Sequence, residues 1–156
     1  MTLVINDELR AMIADKESLK ILASVDMNGN PHVVAKGSIE LSEDGKQLVY
    51  MELLEGSRTN KNLTAAIWFN NKVAVNIISG DRRSYQIKGT PVKSVIAGKV
   101  FEDYYIKAEQ RNPENNLAAI YYIDIEEVIN ESYTVRLKEE REKHPLYIHL
   151  DKLTRE

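Results

Sequence analysis

The apolar positions change period several times along the chain, and each change marks an element. Leu9, Met12, Ile13 and Leu19 recur at roughly helical spacing behind Asn6 and Asp7, which suit a helix N-cap, so residues 7–18 are expected to be helical. Lys20 to Asp26 is a short apolar run that reads as a strand. Asn28-Gly29 then suits the left-handed backbone of a tight hairpin turn, and Pro31 to Leu41 returns as a second strand. A turn at Ser42 to Lys46 leads into a third strand, Gln47 to Glu52. Connections this short make a meander, because a parallel crossover needs about a dozen residues.

After Gly56-Ser57 the period becomes helical, with Leu63, Ala66 and Ile67 on one face and Asn70-Asn71 as the stop. The single Trp68 is expected to pack this helix against the rest of the fold. Lys72 to Ser79 is a strongly β-prone fourth strand. Ser84 to Ile96 is a long fifth one, interrupted by Gly89-Thr90-Pro91, where glycine and proline mark a bulge, a bend or an edge. Gly98 to Arg111 reads as a helix ended by Asn112-Pro113. Leu117 to Ile125 is apolar and aromatic, the sixth strand, and Tyr133, Val135 and Leu137 alternate as a short seventh. Lys138 to Lys143 mixes charges of both signs, as a solvated face does; so do Lys107, Glu109 and Arg111. Six or seven antiparallel strands with three short helices predict a mainly β fold: a closed barrel with helices at its ends.

The 156 residues suit one domain, and no repeat, linker or low-complexity segment divides them. Hydrophobic residues make up 43% and charged residues 29%, the balance of a globular chain. The sequence holds no cysteine, which excludes disulfides, thiolate metal sites, iron–sulfur clusters and cysteine nucleophiles. With no visible signal peptide and no apolar run near the ~20 residues of a membrane span, a cytoplasmic location is expected. A net charge of -3 with interspersed signs argues against nucleic acid as a partner. His32, His144 and His149 are scattered without metal-ligand spacing, and each is expected to be a surface histidine.

The chemistry must therefore be local, and the segment Gly56-Ser57-Arg58-Thr59-Asn60-Lys61-Asn62-Leu63 is the most informative stretch. It places two hydroxyls, an arginine and a lysine where a loop becomes a helix. Orphan N–H groups and the helix dipole favour an anion there, and the guanidinium fork matches phosphate oxygens. Read locally, the same residues also describe a plain capped helix with two solvated cations. Lys36-Gly37-Ser38, late in the second strand, has two readings as well: a close approach by something flat, or a bend of the barrel.

Taken in order, the hairpin turn, the strand, the acidic-glycine turn, the next strand and then Ser57-Arg58-Thr59 with Asn62-Leu63 before a short helix resemble the FMN-binding split-barrel family. That family includes pyridoxamine 5'-phosphate oxidase and smaller flavin-binding relatives. The resemblance covers about Leu19 to Val95. It implies FMN as cofactor, with Ser57, Arg58, Thr59 and Asn62 holding its phosphate and Val34, Ala35, Lys36 and Gly37 lying along the isoalloxazine. Thr59 stands where the oxidase carries a lysine. Ser84 stands where it carries a flavin-touching glutamine, and Gln86, two residues on, is a further contact. The C-terminal arginine and histidine that bind the oxidase's substrate phosphate have no counterpart here, so oxidation of pyridoxamine phosphate is not implied. The resemblance does imply a homodimer with flavin in the subunit cleft, and Leu117 to Ile125 is a candidate contact because one barrel is not expected to cover apolar side chains on both its faces. The implied activity is FMN-dependent oxidoreduction of a small molecule or a reduced nicotinamide. The alternatives are an FMN-binding electron carrier or flavin store, and a relative binding haem or a deazaflavin.

Overall fold

A computed structural model of the chain, describing residues 3 and 5–145, contains seven strands and four helices. They run α1 (Asp7–Ala14), β1 (Leu19–Val25), β2 (Pro31–Ala35), β3 (Ile39–Leu41), β4 (Gln47–Glu52), α2 (Arg58–Phe69), β5 (Val73–Ile78), β6 (Ser84–Val95), α3 (Lys99–Arg111), β7 (Ala119–Asn130) and α4 (Tyr133–Lys143). Every pairing is antiparallel, and the sheet order is β2-β1-β5-β6-β7-β4-β3.

That order places β2 and β3, neighbours in sequence, on opposite edges of the sheet. The chain passes between them within a few residues. Lys36 N–H donates to the carbonyl of Lys20 in β1 at 2.9 Å, and Met51 N–H in β4 donates to the carbonyl of Ser38 at 3.0 Å. The sheet must curl for one short segment to reach both edges, and the result is a split barrel. The single strand expected over Pro31 to Leu41 is thus two strands, broken at Lys36-Gly37-Ser38, and the Gly-Ser pair sits at the break.

Inward positions follow the period of two along each strand. Leu22, Tyr50, Val75, Ile77, Ile87, Tyr121 and Ile123 fill the interior, capped at one end by Leu9, Met12 and Ile13 of α1 and joined by Leu63 of α2. On the outer face, Val49, Met51, Leu117 and Ile120 form a second cluster, covered by Phe101, Tyr104 and Tyr105 of α3. The aromatic strand therefore has partners on both faces inside its own chain. Its apolar excess, offered above as a reason for a subunit contact, is explained by α3.

Three other expectations are corrected. Helix α1 stops at Ala14 because the Asp15 carboxylate takes the N–H of Glu17 at 2.9 Å and turns the chain, so Leu19 opens a strand. The alternation of Tyr133, Val135 and Leu137 belongs to helix α4, not to a strand. None of the three is buried, so no core face backs the alternation, and Glu139 pairs with both Arg136 and Lys143 at helical spacing. The sixth expected strand instead runs on as β7 to Asn130, beside β6. Trp68 is 79% exposed. It sits two residues past Ala66, on the far side of α2 from the buried stripe Thr59, Asn62, Leu63 and Ala66.

The break expected at Gly89-Thr90-Pro91 is observed as register shifts at Lys88/Gly89 and Pro91/Lys93 between β6 and β7. A Cβ at Gly89 would lie 2.2 Å from the Asp124 carbonyl oxygen, so the close approach of β7 requires glycine there. His149 and the remaining expectations beyond Pro145 lie outside the described residues.

Candidate functional site

Helix α2 lies across one end of the barrel and reaches both sides of it. Asn62 donates to Ser24 of β1 at 3.0 Å, and Thr64 shares a 2.9 Å hydrogen bond with the Tyr121 hydroxyl of β7. Its N-terminal turn is thereby fixed against the β1–β2 hairpin. Arg58, Lys61 and Asn62 line a cavity of about 510 Å³ there, opposite Asp26, Asn30, Pro31 and His32. That volume is within the ~300–1,000 Å³ of small-molecule sites. Neither Arg58 nor Lys61 is in an ion pair among the described residues. The Thr59 hydroxyl is buried and has no hydrogen-bond partner among them. Asp26 is the opposing charge in the lining; hydrogen bonds from Asn30, then Asn28, hold its carboxyl below the usual range and shape the hairpin.

Ser57 is differently occupied. Its oxygen accepts from the N–H of Asn60 at 2.9 Å, the cap bond, while its hydroxyl donates to Glu52 at 2.8 Å. Glu52 is the hub of this end of the site. Only 1% exposed, it also accepts from the Tyr50 hydroxyl at 2.6 Å and from Leu54 N–H at 3.0 Å, and it faces the Lys36 ammonium at 3.6 Å. Burial, and then the bond to Glu52, push the Tyr50 hydroxyl far above its ordinary value. One carboxylate thus ties the Lys36 segment to the start of α2.

Among the residues singled out from the sequence, the structure brings Arg58 and Asn62 into one cavity with Lys61. Thr59 is buried in the same helical turn. Val34 and Ala35 lie on edge strand β2, whose outer edge pairs with no strand among the described residues, and Gly37 is exposed at the break beyond it. Gln86 is apart. The pairings Ala35–Ile21–Asn76–Gln86 set it in the same lateral row but three strands away, roughly 14 Å at the usual strand spacing. Sequence reasoning did not identify Glu52, and it placed His32 simply on the surface. The available signal for Glu52 was a carboxylate closing an otherwise apolar strand; nothing local marked His32 as a wall of the cavity. Among the described residues no cluster of three or more His, Asp or Glu could hold a metal, and no helix is long and apolar enough to cross a membrane.

A curled seven-stranded antiparallel sheet with a cationic helix turn across one end defines the class: the chain has the split-barrel fold that pyridoxamine 5'-phosphate oxidase-like and FMN-binding proteins share. No protein-family model and no curated protein matches it by sequence. Among solved structures it is similar to HupZ of Group A Streptococcus, at 24% identity and a TM-score of 0.67, over 83% of this chain and 96% of that one. A Lactobacillus delbrueckii protein named for pyridoxamine 5'-phosphate oxidase matches at 26% identity and a TM-score of 0.60, over 80% and 93%. An FMN-binding protein of Syntrophomonas wolfei matches at 11% identity and a TM-score of 0.63, over 79% and 83%. The fold is shared as well by HutZ, the haem storage protein of Vibrio cholerae, at 14% identity and 0.59 over 82% and 95%, and by an F420 reductase at 17% and 0.60 over 80% and 98%.

Proposed function

We propose that the chain binds FMN and is an FMN-dependent oxidoreductase acting on a small molecule or a reduced nicotinamide. The observation that carries this reading is the pair of cations, Arg58 and Lys61, that line a cavity at the start of α2 without an ion-pair partner among the described residues. A phosphate there meets the guanidinium fork and the positive end of the helix. The buried Thr59 hydroxyl and Asn62 complete the donor set on the same turn, while Ser57 acts through the cap and its bond to Glu52. Val34, Ala35, Lys36 and Gly37 offer backbone groups to the polar edge of the ring, with the Lys36 side chain turned to Glu52. Gln86 is a more distant contact on the same sheet.

Bound FMN supplies the electron transfer; the residues position it and set its polarity. The functional unit is a homodimer with flavin in the subunit cleft. Exposed Trp68, Phe69 and Ile96 are apolar surface available to a second copy. The cysteine-free composition suits a reducing, cytoplasmic setting.

Absorbance of the purified protein tests the cofactor. A flavin spectrum near one FMN per chain is expected, and colourless protein that ignores added FMN would contradict the proposal. Oxidation of NADH or NADPH by the flavin-loaded protein separates an enzyme from a carrier or flavin store, which binds FMN and shows no turnover. A haem-binding role is the second reading, favoured by His32 in the cavity wall and by the likeness to HutZ. It predicts a Soret band in place of flavin absorbance, abolished by His32→Ala.

A further inference from the structure

Besides the Ser18 and Thr59 hydroxyls, one cationic side chain at an inward strand position has no partner among the described residues. Lys20 occupies an inward position of β1, in register with Leu22 and Ser24, and is 7% exposed. Its ammonium forms no hydrogen bond or ion pair among the described residues. Burial, and then the Arg111 guanidinium, lower its pKa, while the charges of Asp15 and Glu40 oppose that fall. Glu40 forms its ion pairs with Lys107 at 2.6 Å and Arg111 at 3.8 Å, not with Lys20. A cation on a side chain this little exposed normally has a counter-ion, and Lys20 has none among the described residues.

Lys20 borders a cavity of about 1160 Å³ between α1, β3 and α3. Its lining carries five cations, Arg10, Lys16, Lys20, Lys107 and Arg111, against the two carboxylates Glu40 and Glu43. Ile13, Leu41 and Tyr104 supply apolar wall. A large cavity with an excess of positive charge and an unpaired cation in its lining is built for a negatively charged guest. We infer that this cavity binds a small organic anion bearing a phosphate or carboxylate group, with Lys20 as its buried counter-ion and Arg111 as the second contact. Gly37 also lines it, while Pro31 and His32, earlier in the same stretch of chain, line the Arg58 cavity. The inference stands on Lys20 and its surroundings and does not require the flavin reading.

Amide NMR titrations with inorganic phosphate and, separately, with citrate test it, since shifts report where each probe binds. Saturable shifts at Lys20, Gly37 and Ile39 are expected with at least one probe; which one distinguishes a phosphate guest from a polycarboxylate. Lys20→Met should weaken that binding at least tenfold and leave any shifts around Arg58 unchanged. Removing an unpaired buried charge should also raise Tm. Arg111→Gln, at a half-exposed position where folding is not at stake, should weaken the same binding severalfold. The inference is overturned if neither probe shifts this cavity at tens of millimolar, if Lys20→Met and Arg111→Gln bind as the wild type does, or if the probes shift only the Arg58 region.

Discussion

Replacing Lys36 by methionine removes the counter-ion of Glu52 while keeping most of the side chain's volume. Removing one partner of a buried ion pair typically destabilises by about 3–5 kcal/mol. Two features of this site reduce that figure. The Lys36 side chain is 15% exposed and its ammonium is 3.6 Å from the carboxylate, and Glu52 keeps its bonds from Tyr50, Ser57 and Leu54. The expected loss is therefore about 2 kcal/mol, or roughly 4–8 °C in Tm for a chain of this size. In a Glu52→Gln background no buried charge is left unpaired, so Lys36→Met should then cost less than about 0.5 kcal/mol. Urea unfolding of the wild type, the two single variants and the double variant measures that coupling. Equal effects of Lys36→Met in both backgrounds would refute the account of Glu52 as the group that ties the strand break to α2. The network also positions the Ser57 cap, so Lys36→Met is expected to weaken FMN binding although Lys36 need not touch the phosphate.

Gly89→Ala pushes a Cβ to 2.2 Å from the Asp124 carbonyl oxygen, where only backbone displacement relieves the clash. It should destabilise by about 3 kcal/mol or more, lowering Tm by roughly 6–12 °C in calorimetry, whereas an unchanged Tm would mean that the β6–β7 bulge is wrongly placed. Tyr104 is held neutral to about 12 by burial and then by the charge of Glu40. Its unfolded value lies near 10, so its contribution is complete below that pH and is lost as pH rises from about 10 through about 12. A tyrosinate absorbance titration of the wild type against Tyr104→Phe should show one late-ionising group missing from the variant.

The barrel was legible because most of its strands alternate cleanly and its hairpins carry strong turn signals. Gly29 and Gly45, at φ values of 79° and 72°, adopt the left-handed backbone that Asn28-Gly29 and Asp44-Gly45 announce. Where the reading failed, tertiary context decided. Nothing in Pro31 to Leu41 shows locally that its halves belong to opposite sheet edges, since the break is imposed by β1 on one side and β4 on the other. Tyr133 to Leu137 alternates, but a period counts only when one face is buried, and here none is. The start of α2 was legible as a charged helix N-terminus after Gly56-Ser57. Glu52 and Lys20 were not, because a lone charged residue in an apolar strand looks the same whether it snorkels to water or stays buried.

The central claim is that the turn at the start of α2 grips a phosphate, and paired titrations with FMN and riboflavin test it most directly, because the two differ only by that group. For the wild type, FMN should bind more tightly than riboflavin. Arg58→Ala should weaken FMN by roughly tenfold to a hundredfold, the weight of one charge-assisted hydrogen bond, and leave riboflavin nearly unchanged. Equal losses for both ligands, or a wild type that does not distinguish them, would contradict the assignment.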